Sequence, residues 1–157
     1  MMFTNVAFYD WYMNVALSSN GGVASQSTTF AVASRANDGS TNSLFDSGSI
    51  SNTDNGTNQW WEVTLASTYP ISQVKFYTRT DSCWRDKIQN FIMTIYRNGI
   101  EVYNSGASNP DESSTVKSIY TYQMSSGMIG DVVQIGMNMG NVELAEVVVN
   151  VREEKIA

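Results

Sequence analysis

The stretch "FIMTIYRNGIEVY", Phe91–Tyr103, reads as two antiparallel strands joined by a tight turn. Phe91, Met93 and Ile95 recur at every second position, the period of a strand with one buried face. Asn98 and Gly99 then occupy the two central turn positions. Both positions of such a turn need positive φ, which Asn and Gly tolerate best. "IEVY", Ile100–Tyr103, is the returning strand. A β-hairpin is expected here.

The same period extends outward from the hairpin. In "WWEVTL", Trp61, Val63 and Leu65 share one face against Glu62 and Thr64. In "VKFYT", Val74, Phe76 and Thr78 oppose Lys75 and Tyr77. Later strands are expected at "SIYTYQM", "DVVQIGM" and "VELAEVVVNV", the last with Val147, Val149 and Val151 aligned. Between Gly21 and Gly56 the chain is rich in Ser, Thr, Asn and Asp and reads as loop. Trp60 and Trp61 read as core or core rim, and Met137 and Met139, at strand spacing, as packing residues. No stretch has a helical period of useful length, and no internal repeat is present. Short strands at this spacing make an all-β antiparallel sandwich or barrel.

Composition narrows the function. At 157 residues the chain fits one domain, and 42% hydrophobic residues suffice for a core. Its net charge of −6 and pI near 4.4 argue against nucleic-acid binding, which needs a basic face, and against docking on anionic lipid. No apolar run approaches the length of a membrane helix, so no membrane insertion is expected. The absence of histidine removes Ser-His-Asp chemistry and imidazole metal sites. A single cysteine offers neither an internal disulfide nor a zinc framework. "MMFTNVAFYDWYM" has no basic start and is interrupted by Asp10, so it is not read as a secretory leader. No arrangement of carboxylates suggests a glycosidase. A non-catalytic role is expected.

Several segments carry a resemblance. "NVALSS", "ASRANDGSTNSLFDSGS", "TDN", "WWEVTL" and "YTRTD" occur in this order, and "ELAEVVV" closes the series. Together they resemble the F-type (fucose-binding) lectins, a group within the discoidin-like β-sandwiches. The likeness runs from about Asn14 to Val149. It implies a jelly-roll antiparallel β-sandwich over residues 14–157, preceded by an aromatic extension at 1–13 containing Phe3, Phe8, Tyr9, Trp11 and Tyr12. That extension is expected to pack either as an extra edge strand or on a partner.

Within the likeness, "RANDGSTNS" resembles the family's calcium loop. Calcium takes six to eight oxygens, which a turn of Asp, Asn, Ser and Gly can supply. The resemblance implies carboxylates from Asp38 and Glu146, the hydroxyl and carbonyl of Ser49, and backbone carbonyls of Arg35, Ser40 and Ala145. Without an ion, "NDGS" is simply a turn.

The sugar site implied by the resemblance is altered. The family pattern is His, twenty-six residues, Arg-x-Asp, four residues, then Arg or Lys. Arg79-Thr80-Asp81 is present, but Asn52 stands in the His position. Five residues separate Asp81 from Lys87 and three separate it from Arg85, so either base can be the second one. Where the family has adjacent cysteines, this chain has Ser82 and Cys83, followed by Trp84, whose indole could face the C–H side of a sugar. A second family bridge is replaced by Ile50 and Ala145, which are expected to pack together. The alternative reading of Arg79, Arg85 and Lys87 is a loop laced to Asp81 and Asp86.

Two functions follow. One is a calcium-stabilised carbohydrate-binding module, with glycan contacts at Asn52, Arg79, Asp81, Trp84, Arg85 and Lys87. The other is a structural or adhesin subunit, for example on a virus particle, that keeps the lectin fold with little sugar binding. A homo-oligomer or larger assembly is expected in either case, because repeated weak sites gain avidity.

Overall fold

The computed structural model describes residues 8–81, 90–107 and 119–156; Cys83, Trp84, Arg85 and Lys87 lie outside them. Within these residues the strands are β1 (Phe8–Asn14), β2 (Val23–Gln26), β3 (Ser51–Asn52), β4 (Gly56–Thr78), β5 (Ile92–Arg97), β6 (Ile100–Asn104), β7 (Ile119–Gly140) and β8 (Glu143–Ile156). Their pairings are antiparallel, in the order β1-β8-β4-β7-β5-β6, with β2 on β4 and β3 on β8.

β4 and β7 organise the molecule. They pair from Gly56↔Gly140 to Tyr77↔Ile119, with register breaks between Thr64 and Tyr69 and between Ile71 and Gln73. The first half of β4 carries β2 on its free edge, whereas the second half carries β8. β5 and β6 extend the sheet from the late half of β7. The two long strands therefore pass from one layer of a β-sandwich into the other. "WWEVTL" and "VKFYT", read from sequence as separate strands, are one strand; so are "SIYTYQM" and "DVVQIGM". Bulges bend a strand without ending it.

The alternating faces meet in one core. Trp61, Val63, Leu65, Val74, Phe76, Phe91, Met93, Ile95, Val133, Ile135, Met137, Val147, Val149 and Val151 are all buried in it. Phe76 sits among Tyr120 (5.0 Å), Phe91 (5.1 Å) and Tyr122 (6.0 Å), measured between ring centroids. Each such side chain contributes roughly 1.5–3 kcal/mol by leaving water. Trp61 is fully buried, and its indole N–H donates to the Ala33 carbonyl at 2.9 Å. Met139 is a correction. It shares the face of Met137 but is 75% exposed, next to the end of β7 at Gly140 and paired with Thr57, which is exposed as well.

The hairpin turn forms as read, with φ of 50° at Asn98 and 78° at Gly99. β2 lies where a loop was expected. Its residues alternate only between exposed and half-buried, so it carries no apolar stripe to read. Phe8–Met13 takes the first of its two expected placements, an edge strand paired with β8 from Phe8↔Ile156 to Asn14↔Asn150. Ile50 and Ala145 are both fully buried. Between β2 and β4, residues 27–55 form a long crossing segment, held at β3 by Ser51↔Leu144 and Asn52↔Glu143.

Candidate functional site

A bulge in β8 builds the site. Tyr77 pairs with Glu146 but Thr78 pairs with Leu144, so Ala145 is one residue too many. An extra residue reverses strand alternation. Leu144 and Val147 consequently both enter the core, while Glu143 and Glu146 meet the long crossing segment instead. Glu143 is 3% exposed and Glu146 1%. Two buried acids under one loop need polar partners.

Glu143 finds its partners in a cleft of about 370 Å³ lined by Phe30, Phe45, Asn52, Thr53, Asp54, Asn55, Arg79 and Asn141 as well as itself. Its Oε1 accepts from Asn52 Nδ2 at 3.1 Å, Asn141 Nδ2 at 2.9 Å and Arg79 Nη1 at 3.4 Å. Asn141 also donates to Asn52 Oδ1 at 3.1 Å, which fixes the orientation of the Asn52 amide. The Asn52 carbonyl accepts from Gln26 Nε2 and from the N–H groups of Phe30 and Ala31. Burial raises the pKa of Glu143, against the opposing effects of Arg79, Asn141 and Asn52.

Arg79 leaves the end of β4 and is held in three directions. Its Nη1 meets Glu143, its Nη2 meets Asp81 Oδ2 at 3.4 Å, and its Cζ lies 4.3 Å from the centre of the Phe45 ring. Asp81 accepts the Phe45 N–H at 3.1 Å, and Thr80 is bonded to Ser43 through both backbone and hydroxyl. Burial works against ionisation of Asp81, but the Phe45 N–H and Arg79 outweigh it, so its pKa falls below the ordinary value. Beside Phe45, with centroids 6.2 Å apart, Phe30 is 67% exposed. The cleft therefore joins an immobilised array of amide, guanidinium and carboxylate to an exposed aromatic ring.

Glu146 meets the loop at Asp38. Gly39, at φ 90°, points its N–H at Glu146 Oε2 at 2.7 Å, and Ser40 N–H donates to Asp38 Oδ1 at 2.9 Å. Glu146 Oε1 is buried and has no hydrogen-bond partner among the described residues. Burial first, and then the negative charge of Asp38 alongside, push the Glu146 pKa up to about 8 against the Gly39 N–H. Ser49 is buried nearby in sequence, its hydroxyl donating to the Asn42 carbonyl at 2.5 Å and bonded to Ser47 Oγ at 2.7 Å.

A family model for the NedA-like, galactose-binding domain matches residues 35–135. Fucolectin-5 of Anguilla japonica is 32% identical over 151 residues, spanning 93% of this chain and 75% of that protein. The chain belongs to the F-type lectins, within the discoidin-like domains. Among solved structures, a His 62 mutant of the lectin binding domain of Lectinolysin complexed with Lewis b superposes with a TM-score of 0.80 at 26% identity. That match covers 91% of this chain and 99% of the other. A Streptococcus pneumoniae fucose binding module gives 0.77 at 27% identity, covering 94% and 100%.

In this lectin domain, the sequence-assigned Asn52, Arg79 and Asp81 come together, the first two lining the cleft and the third bracing Arg79. Trp84, Arg85 and Lys87 are outside the described residues. Of the residues assigned to metal, Asp38 and Glu146 are adjacent. Arg35 lies in the 3₁₀ turn Ala33–Ala36, Ser40 follows Gly39, and buried Ala145 is the bulge residue itself. Sequence reasoning missed Glu143, Asn141, Phe30 and Phe45. Glu143 was masked by the bulge, since simple alternation puts it on the side of Val147. Phe30, an isolated aromatic inside a polar segment, was the one available signal.

Proposed function

We propose that this lectin is a non-catalytic glycan-binding module whose sugar site is the Asn52–Arg79–Glu143 cleft, steadied by one calcium ion at Asp38 and Glu146. The observation that carries the reading is the position of Arg79. It is clamped between Glu143 and Asp81 and stacked on Phe45 within a cleft that also presents the exposed Phe30 ring. A rigid guanidinium and oriented amides suit sugar hydroxyls, and an aromatic face suits sugar C–H groups. The related structures named above include a Lewis b complex and a fucose binding module, which supports a sugar as the ligand. Asn52 in place of the family's His shortens the donor and removes a ring, so fucose itself is expected to bind weakly.

Calcium fits the residues present. The buried Glu146 Oε1, which accepts from no donor among the described residues, lies beside Asp38, and a cation there would displace its proton and satisfy both acids. Among the described residues no cluster of three or more His, Cys, Asp or Glu could hold a metal. The remaining ligands would thus be carbonyl and hydroxyl oxygens, from Arg35, Ser40, Ser49 and Ala145, which favours calcium over zinc. The ion would neutralise the two acids and tie the crossing segment to β8. Three residues earlier on that strand, Glu143 lines the cleft.

A glycan array read with calcium and with chelator tests the proposal, followed by titration of the best ligand into Arg79→Ala. That substitution is expected to lower affinity at least tenfold, since it strands Glu143 and Asp81. Undiminished binding to the variant would place the sugar elsewhere.

A further inference from the structure

Glu143 does more in the cleft than hold its neighbours. Its three hydrogen bonds all fall on Oε1, from Asn52, Asn141 and Arg79. Among the described residues no donor reaches Oε2, and Glu143 is one of the residues that line the cleft. One oxygen of this cleft-lining carboxylate is thus saturated, and the other is without a donor among the described residues.

The charge of the cleft follows from the same contacts. Arg79 is the one cation among its described lining residues, and it is already shared between Glu143 and Asp81. Asp54 adds a further negative charge to the lining. A site built on an arginine would ordinarily welcome a carboxylate or sulfate. Here the guanidinium is neutralised twice, so an anionic ligand would meet Glu143 and Asp54 with no spare positive charge among those residues.

We propose that Glu143 is a specificity-determining residue: Oε2 accepts a hydrogen from a hydroxyl of a neutral sugar, and its charge turns away sugars bearing carboxylate, sulfate or phosphate. The proposal rests on the reading of the cleft as a glycan site. Its chemistry is that of a site built to hydrogen-bond a substrate hydroxyl, which penalises ligands that leave the acceptor unmatched. An anion placed against Oε2 both lacks the hydrogen and adds like-charge repulsion.

The test uses the full chain in saturating calcium and compares galactose with galacturonate, which differ only at C6, together with fucose as a second neutral sugar. The wild-type protein is expected to prefer the neutral partner of the pair by about tenfold or more. Glu143→Gln keeps the size and the Oε1 contacts but removes the charge. In this variant affinity for galactose should fall by about tenfold, while the ratio between galactose and galacturonate should collapse to within about twofold. If Glu143 were only a structural support, affinity for both sugars would fall together and their ratio would stay; that result overturns the proposal. If Glu143→Gln fails to fold by circular dichroism, the wild-type ratio decides, and equal or stronger binding of galacturonate overturns it. Arg79→Ala separates the two readings. Sugar binding that survives it, or no wild-type binding to any sugar, removes the glycan cleft and this inference with it. Binding lost with Arg79→Ala, alongside an unchanged ratio in Glu143→Gln, removes only the role of Glu143.

Discussion

Glu146→Gln should stabilise the metal-free protein and at the same time abolish its response to calcium. Glu146 is 1% exposed; Oε2 accepts only the Gly39 N–H, Oε1 has no partner among the described residues, and Asp38 lies alongside. Its pKa is thereby raised from 4.5 to about 8. Between those values the folded, metal-free chain holds a proton that the unfolded chain releases, so stability falls as pH rises across that window. At pH 7, 2.5 units above the unfolded value of 4.5, the cost reaches about 3 kcal/mol at 1.36 kcal/mol per unit. Glutamine matches the protonated acid in shape and does not titrate. In chelator at pH 7 the variant should therefore melt higher than wild type by up to roughly 6–12 °C, taking 2–4 °C per kcal/mol for a chain of this size. The difference should vanish near pH 4.5. Calcium closes most of the gap: at one hundred times its dissociation constant it adds about 2.7 kcal/mol to wild type and should add little to the variant. Melting curves by circular dichroism at several pH values, with calcium and with chelator, read both effects. A Gln variant less stable than wild type in chelator at pH 8, or one that gains as much from calcium, would refute the reasoning.

Gly39→Ala should cost about 1–2 kcal/mol in melting experiments and weaken calcium binding, because φ is 90° there and the nearest obstacle to a Cβ, Leu17 Cδ2 at 3.6 Å, is ordinary contact. Strain rather than a clash is the cause, so Gly39→Asn should recover part of the loss. Removing residues 1–13 strips all of β1 but Asn14 from β8 and uncovers a sheet edge over Val151–Ile156. Light scattering should then show increased self-association; a truncated chain with unchanged melting and mass would mean that β1 contributes little.

What could be read from the chain directly was whatever depends on neighbours in sequence. Asn98-Gly99 makes its turn from its own backbone preferences. Trp61, Val63 and Leu65, or Val147, Val149 and Val151, share a face because a strand alternates every two residues. Arg79 and Asp81, two apart just past the end of β4, come close because they are near neighbours in sequence. The family resemblance added Asn52 to that pair and joined Asp38 to Glu146. Tertiary structure decided the rest. One inserted residue, Ala145, reversed the alternation of β8 and delivered Glu143 to the cleft, where its partner Asn52 lies 91 positions away. Phe30 became an exposed cleft wall and Met139 an exposed strand end although both are apolar. Burial of a given side chain depends on which layer covers it, and that is set by how β4 and β7 bend from one layer to the other. Local periodicity gives the faces of a strand; bulges and distant pairing choose what each face meets.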